Sequence, residues 1–299
     1  MVDREGAAIL AELTPPFTLL EPPEQLAPVV FCSPHSGRVY PKAFLEASRL
    51  DPHTLRKSED CYVDELFEPV VGLGAPLLAA RFPRAYLDVN REPYELDPEL
   101  FHGRLPAFAN TQSARVVGGL GTIARIVADT EEIYRERLPI SAAFQRIERL
   151  YRPFHGSLAG LLESTRKRFG MAVLIDCHSM PSASMGQPPG ARPHFVLGDR
   201  FGASCDAKLT RFIRDILQRA GFEVQVNRPY AGGFITEHYG SPGRSVHALQ
   251  IEINRALYLD EGTLTKNKDF PKLVRTLAEM AAAVFEALPV LLERRAAAE

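Results

Sequence analysis

The stretch Ala172–Ser179 reads AVLIDCHS, and this order of residues indicates the fold class. Its first four residues form a continuous apolar run, which is typical of a short strand buried on both faces of an α/β sheet. The polar residues Asp176, His178 and Ser179 follow at the carboxyl end of that run. Ligands bind just outside the carboxyl ends of strands in open α/β sheets. We therefore expect His178 to serve chemistry rather than packing.

Three further apolar runs carry polar side chains at or near their ends. They are VVFCSPHSG (Val29–Gly37) with His35, AYLDVNRE (Ala85–Glu92) with Asp88, Asn90 and Arg91, and HALQIEINR (His247–Arg255) with Glu252. β-Branched residues mark the first run, and alternation between apolar and polar residues marks the third. Four strand ends thus offer two histidines and several acids.

Helical patterns alternate with these strands. One helix is predicted to begin at Ser58 as its N-cap residue. Glu59 and Asp60 would then lie in the first turn, where the helix dipole favours acidic side chains. The other predicted elements are helices near Pro41 and over Pro139–Phe169 (kinked at Pro153), Cys205–Ala220 and Phe270–Arg294, strands over Ala75–Arg81, Ala85–Val89, His194–Asp199 and Phe222–Asn227, and loops over Pro93–Gly121 and Tyr230–Gly240. This alternation predicts a three-layer α/β/α sandwich with a central mixed, largely parallel sheet, formed by residues 1–299 as a single domain.

Composition limits the class of partner. The 299 residues carry a formal net charge of −2 and are 45% hydrophobic, so no basic field for nucleic acid is implied. No apolar run approaches the ~18 residues of a membrane span. The four cysteines (Cys32, Cys61, Cys177 and Cys205) show no CxxC spacing, which favours buried thiols. We expect a reducing, cytoplasmic compartment and a small-molecule partner, with no nucleic acid and no membrane bound; the sequence leaves the oligomeric state open.

The histidines and acids suit a metal site. A catalytic zinc ion is commonly bound by two histidines and one carboxylate, and it lowers the pKa of a bound water to about 7. His35 and His178 offer the two imidazoles, and the region Glu59–Asp64 offers the acid, with Glu59, Asp60 and Asp64 all open. Glu252 would then take the proton of that water and pass it to a leaving amine.

Six motifs, in the same order along the chain, carry a family resemblance. They are PHSG, EDCYVDELF, YLDVNREP, DCHSMP, GGFITEHYG and QIEIN. With them the chain resembles the N-formylglutamate amidohydrolase family over nearly its whole length. That family is similar in fold to the zinc carboxypeptidases and to the aspartoacylase-like deacylases. The resemblance implies zinc-dependent hydrolysis of an N-acyl amino acid, for N-formyl-L-glutamate giving formate and glutamate in histidine breakdown.

The resemblance also implies a ligand set for one zinc ion per chain, although the sequence leaves cobalt and manganese open. His35 and His178 match the zinc histidines, and Asp88 matches the carboxylate that orients His35. Carboxypeptidases place a glutamate three residues after the first histidine, where this chain has Arg38. The acidic ligand must then come from elsewhere, and Asp60 is the family-like choice.

The remaining implied roles concern catalysis and substrate. Glu252 matches the catalytic glutamate, and Asn90 and Arg91 match the residues that hold the substrate α-carboxylate, with Arg91 counted among the catalytic residues. Arg125 follows the glycine-rich turn GLGT, and we predict that it binds the γ-carboxylate. The alternatives are another metallohydrolase of this fold, a deacylase or a carboxypeptidase, or a non-catalytic binder of acidic amino acids. A binder would not need Glu252.

Overall fold

The computed structural model describes residues 4–127, 131–183 and 193–292, which form a mixed α/β structure. The strands, numbered along the chain, are β1 (Phe17–Leu20), β2 (Val29–Ser33), β3 (Leu77–Ala80), β4 (Phe101–His102), β5 (Leu138–Pro139), β6 (Ala172–Met180), β7 (Phe195–Gly198), β8 (Val224–Val226), β9 (Val246–Asn254), β10 (Leu259–Asp260) and β11 (Thr265–Lys266).

Helices are numbered in the same way. They are α1 (Arg4–Glu12), α2 (Lys42–Ala47), α3 (Pro52–Arg56), α4 (Val63–Phe67), α5 (Ala114–Val117), α6 (Ile140–Arg146), α7 (Arg152–Phe169), α8 (Ala207–Arg219), α9 (Phe234–Tyr239) and α10 (Phe270–Leu291). A π-helical turn, Ile147–Tyr151, joins α6 to α7. Short 3₁₀ segments occupy Glu68–Val70, Pro98–Leu100, Arg200–Gly202, Pro242–Arg244 and Arg255–Leu257. None of the helices within the described ranges is long and apolar enough to cross a membrane.

The central sheet runs in the order β1-β3-β2-β6-β9-β7-β8 within the described ranges. Strand β6 pairs in parallel with β2 and with β9, and β7 pairs in parallel with β8. Only the β7–β9 pair among these is antiparallel. The predicted α/β class with a mixed, largely parallel sheet is therefore confirmed.

Strand β6 is the predicted buried strand, and every one of its nine residues is buried. Its register with β9 sets His178 opposite Glu252 and Asp176 opposite Gln250. Side chains alternate between the faces of a sheet, and paired residues on neighbouring strands share a face. All four polar side chains therefore project from the same face, which brings the predicted histidine and glutamate side by side.

The chain divides into two compact units. The first unit comprises the described residues within Met1–Leu19, Ser33–Cys61 and Leu78–Ala159, and the second those within Leu20–Cys32, Tyr62–Leu77 and Gly160–Glu299. The single catalytic domain over residues 1–299 stays a prediction.

The first unit buries a charged residue of α6. Arg146 is 2% exposed, and its Nη1 donates to the carbonyl oxygen of Tyr86 (2.9 Å) and to the hydroxyl of Tyr134 (2.7 Å). Its guanidinium lies 3.8 Å from the centroid of the Tyr86 ring, and its Nε donates to Glu5 of α1. A buried cation needs a partner of opposite charge, and Glu5 provides it for Arg146. This ion pair holds α1 against α6.

The second unit is built on apolar contacts around β2. Phe31 packs against Phe67 of α4 and Phe285 of α10, with ring centroids 5.7 and 6.3 Å apart. Helix α10 confirms the predicted closing helix from Phe270 to Leu291, and Glu293 and Arg294 lie outside the described residues. All four cysteines are buried, as predicted, and burial raises the pKa of the Cys32 and Cys177 thiols well above the usual value.

The helix predicted to begin at Ser58 is wrong. The Ser58 hydroxyl donates to the carbonyl of Leu55, so this residue follows the end of α3 instead of starting a helix. Asp51 caps α3 by accepting from two backbone N–H groups, and Pro52 occupies the first helical turn, where its missing N–H costs nothing. The following helix, α4, starts only at Val63. Glu59 and Asp60 therefore lie in a turn between two helices.

The strand predicted over Ala85–Val89 is also wrong, although the side chains of this run are buried. Its backbone makes turn and loop bonds, because the N–H of Tyr86 donates to Pro83 O and the N–H of Asp88 donates to Thr122 O. Burial explains the apolar composition without a sheet. The predicted loop Tyr230–Gly240 differs as well, since it contains α9.

Candidate metal centre and active site

His35 lies in a tight turn directly after β2, and it is 1% exposed. The turn requires Gly37, because a Cβ atom at that position would stand 2.0 Å from the carbonyl oxygen of Phe82. Beyond it, the N–H of Val39 donates to Arg81 O at 2.9 Å. The close approach that only glycine permits thus fixes the place of the histidine.

Asp88 contacts the ring of His35. Its Oδ1 lies 2.7 Å from Nε2 of His35 and accepts from the N–H of Asn90 at 2.8 Å, while Oδ2 accepts from Arg84 at 3.0 Å. Burial alone would raise the pKa of Asp88, but the charges of Arg91, His35 and Arg84 outweigh burial and hold the pKa well below its usual value. An ionised Asp88 makes Nε2 of His35 the protonated nitrogen and leaves Nδ1 as the electron-pair donor.

Asp60 faces that donor nitrogen. Its Oδ2 lies 3.4 Å from Nδ1 of His35, and its backbone N–H donates to His35 O at 3.1 Å. Neighbouring Glu59 is engaged elsewhere: it accepts from the Tyr40 hydroxyl (2.6 Å) and from Arg56 Nε (3.2 Å). Burial and the nearby charge of Glu59 raise the pKa of Tyr40. The turn thus directs one acid towards the histidine and the next towards a separate hydrogen-bond cluster.

His178 is 3% exposed and has a carboxylate partner that the sequence analysis did not assign. Its Nε2 lies 3.0 Å from Oδ1 of Asp176, two residues earlier on β6. The period of two in a strand puts both side chains on one face, and this signal could have identified the pair from sequence. Asp176 is fully buried, and its oxygens accept no hydrogen bond of good geometry from the described residues.

The structure brings His35, Asp60 and His178 together. The ligand atoms that these three buried residues offer all lie within 4.8 Å of one another. Two imidazoles and one carboxylate are a donor set that suits a divalent metal ion, and each imidazole has its second nitrogen on a carboxylate, as metal-bound histidines usually do. A cation at this group would also offset the buried charge of Asp176. The arrangement suggests a metal ion.

Glu252 is 8% exposed and stands in register beside His178. Its Oε1 accepts from Nε2 of Gln250 at 2.7 Å, and Oε1 of Gln250 in turn accepts from the N–H of Gly233 at 2.7 Å. The amide of Gln250 therefore fixes one oxygen of the glutamate. Sequence reasoning missed Gln250, although it lies two residues before Glu252 on the same face of β9.

Asn90 and Arg91 follow Asp88 in the first unit. Asn90 is 4% exposed. Arg91 donates from Nε to Leu120 O (3.0 Å) and from Nη1 to Asn90 O (2.9 Å), and its Nη2 lies 3.6 Å from Oδ2 of Asp88. A guanidinium has five N–H donors, so further donors are left for an anion.

Arg125 is already surrounded by acids. Its Nε donates to Asp97 at 2.7 Å, and its terminal nitrogens lie 3.5 Å from Glu99 and from Glu132. The hydrogen bond to Asp97 raises the pKa of Arg125, which stays cationic. It borders a cleft of about 260 Å³ that Arg49, Arg135 and Arg137 also line. A substrate carboxylate at Arg125 would compete with Asp97.

A second buried arginine was not identified from the sequence. Arg255 follows directly after β9, is 6% exposed, and donates from Nε to the hydroxyl of Ser179 at 3.1 Å. It belongs to the INR sequence just beyond Glu252. Neither the spacing nor the composition distinguished it from an ordinary surface arginine.

A buried pair of histidines with an aspartate and a neighbouring glutamate, at the carboxyl edge of a mostly parallel sheet, is typical of a hydrolase. A family model described as "N-formylglutamate amidohydrolase" matches residues 27–259. The N-formylglutamate deformylase of Pseudomonas putida is 31% identical over 241 residues, covering 78% of this chain and 82% of that protein. The deformylase of Pseudomonas aeruginosa is 30% identical over 237 residues, with 78% and 83% covered.

A solved structure agrees with these matches. The crystal structure of the N-formylglutamate amidohydrolase from Ralstonia eutropha JMP134 has a TM-score of 0.86 and 36% identity, and the alignment covers 92% of this chain and 99% of that one. The chain therefore belongs to the N-formylglutamate amidohydrolase family. It is a hydrolase that acts on an amide.

The acidic ligand can be tested by paired substitutions. We expect Asp60→Asn to weaken metal binding by at least the ~10–100-fold that lesser changes outside the ligand set produce, because a neutral amide replaces the only carboxylate of the donor set. Asp64→Asn, in the first turn of α4, serves as the matched control and should keep the metal. Metal content after dialysis against a chelator measures both. Loss of metal from Asp64→Asn with retention in Asp60→Asn would reverse the assignment.

Proposed function

We propose that the chain catalyses zinc-dependent hydrolysis of N-formyl-L-glutamate to formate and L-glutamate, a step of histidine degradation. The proposal is carried by the buried group of His35, Asp60 and His178 beside Glu252. It is supported by the names of the relatives in Pseudomonas. The cytoplasmic location, one zinc ion per chain and the absence of nucleic-acid and membrane partners stay predictions.

The roles follow from the chemistry of each side chain. His35, Asp60 and His178 would hold the metal, with Asp88 and Asp176 orienting the two imidazoles. When bound, zinc supplies Lewis-acid chemistry that makes water a nucleophile near neutral pH.

Glu252 accepts a proton from the attacking water and delivers it to the amide nitrogen. A bond forms between the water oxygen and the formyl carbon, the carbon–nitrogen bond breaks, and formate and the free amine leave. Gln250 keeps Glu252 aimed during this transfer, because its amide donates to one carboxylate oxygen and leaves the other for the proton.

Asn90 and Arg91 bind the α-carboxylate of the substrate. Arginine binds carboxylates through parallel N–H donors, and the remaining donors of Arg91 suit this contact. The γ-carboxylate distinguishes glutamate from other amino acids, and Arg125 is the residue that we propose for it.

A substrate panel tests the proposed function. The metal-loaded protein should show its highest kcat/KM on N-formyl-L-glutamate, compared with N-formyl-L-alanine, N-acetyl-L-aspartate and a dipeptide that ends in glutamate. Release of the primary amine, measured together with formate or acetate, follows each reaction. Preference for N-acetyl-L-aspartate would make the chain a deacylase of another kind, and preference for the dipeptide would make it a carboxypeptidase.

The role of Glu252 can be separated from metal binding. Glu252→Gln should keep the metal and lower kcat by roughly 10²–10⁴-fold, because the amide cannot accept the proton of the nucleophile. Exposed Glu223 on the second unit provides the control variant Glu223→Gln, which should match the wild type. A near-normal kcat in Glu252→Gln would mean that Glu252 is not the general base.

The Arg125 assignment is tested by two substrates. Arg125→Ala should lower kcat/KM on N-formyl-L-glutamate by about ten- to a hundredfold, the contribution of a charge-assisted contact, and leave N-formyl-L-alanine nearly unchanged. Equal losses on both substrates would mean that the arginine does not bind the γ-carboxylate. An unchanged kcat/KM on both substrates would mean that Arg125 does not bind substrate and serves only its contacts with Asp97, Glu99 and Glu132.

A further inference from the structure

Three consecutive carbonyl groups around Asn90 accept hydrogen bonds from side chains instead of from a neighbouring strand. The carbonyl of Val89 accepts from Nε2 of His155 (2.9 Å), that of Asn90 from Nη1 of Arg91 (2.9 Å), and that of Arg91 from the hydroxyl of Tyr151 (2.7 Å). A carbonyl oxygen can only accept, so Nε2 of His155 carries the hydrogen. The shape of this segment is thus set by side chains some sixty residues further along the chain.

The π-helical turn explains how two residues of one helix reach these carbonyls. In this turn the N–H of Arg152 donates to the carbonyl of Ile147, five residues earlier. The wider turn admits Pro153, whose ring and missing N–H would disrupt an α-helix there. One extra residue rotates everything beyond it by about 100° relative to an uninterrupted α-helix. Tyr151, the last residue of the turn, and His155, four residues later, share one helix face, and their ring centroids lie 4.2 Å apart.

We propose that Tyr151 and His155 are positioning residues for the substrate carboxylate. The proposal rests on the proposed function, in which Asn90 and Arg91 bind that carboxylate. By holding the carbonyls on either side of Asn90, the pair fixes the directions in which the Asn90 and Arg91 side chains leave the backbone. We call Tyr151 and His155 the carbonyl clamp.

Tyr151, which holds the carbonyl of Arg91, acts on substrate binding without a contact to the partners of Asp88. His35 is oriented by the carboxylate of Asp88, which has its own partners in Arg84 and the N–H of Asn90. Loss of the Tyr151 hydroxyl leaves all of these in place. A role limited to helix packing predicts lower stability with unchanged KM, whereas positioning predicts a higher KM with unchanged metal content and nearly unchanged kcat.

The decisive variant is Tyr151→Phe, which removes one hydroxyl and keeps the ring. Loss of one neutral hydrogen bond should raise KM for N-formyl-L-glutamate by about two- to tenfold, and the double variant Tyr151→Phe with His155→Ala should raise it further. Tyr94→Phe is the matched control, because the Tyr94 hydroxyl accepts from Arg152 of the same helix without touching the carbonyls of 89–91. Initial rates over a range of substrate concentrations give KM and kcat, and metal analysis accompanies each variant.

Two measurements keep this proposal separate from the proposed function. If the wild type turns over N-formyl-L-glutamate and KM of both clamp variants equals that of Tyr94→Phe, the proposal is overturned. If the wild type does not turn over this substrate, the proposed function fails first, and amide hydrogen exchange over residues 86–92 decides the clamp. Faster exchange in the double variant than in Tyr94→Phe would support the proposal that Tyr151 and His155 hold this segment. Equal exchange in the two variants would overturn it.

Discussion

The contact between each histidine and a buried carboxylate is the interaction on which the site depends. Asp88 contacts the ring of His35, and Asp176 contacts the ring of His178. An imidazole has two nitrogens. When a carboxylate contacts the nitrogen that carries the hydrogen, the other nitrogen keeps its lone pair and points it in a fixed direction, where it can bind a metal ion. Two such pairs, converging with Asp60, make a group of defined geometry. The fold must therefore bury three carboxylates close together, and much of the surrounding structure serves this requirement.

The carboxylates are placed by two different means. Asp176 lies on a fully buried strand, and the period of two in that strand aims it at His178. Asp88 and Asp60 lie in irregular segments, where side-chain and backbone hydrogen bonds replace the sheet ladder. Arg84 and Arg91 supply the positive charge that keeps Asp88 ionised. Regular structure gives rigidity directly, whereas the irregular segments obtain it from many specific partners.

The sequence predicts those features of the structure that depend on neighbouring residues, and it predicts poorly those that depend on contacts between distant segments. The runs at β6 and β9 were predictable, because burial and alternation are local properties of a strand. Ser58 misled because a serine side chain also bonds to carbonyls in the turn that follows a helix, and the stronger start signal, Asp51 with Pro52, lies seven residues earlier. Ala85–Val89 misled because apolar composition reports burial and not pairing. Arg255 and the partners of Arg125 depend on contacts between distant segments, and no local pattern encodes them.

The environment of Asp176 has a consequence for how the protein matures. This carboxylate lies on a strand whose nine residues are all buried, and the described residues give it an imidazole contact but no hydrogen bond of good geometry. A charge in such surroundings opposes folding unless a cation compensates it. Occupancy of the His–Asp–His group and stability of the core are then linked quantities, because a ligand that binds only the folded state shifts the folding equilibrium. A cation bound at this group would therefore stabilise the folded chain, and the supply of that ion and the lifetime of the protein would be coupled.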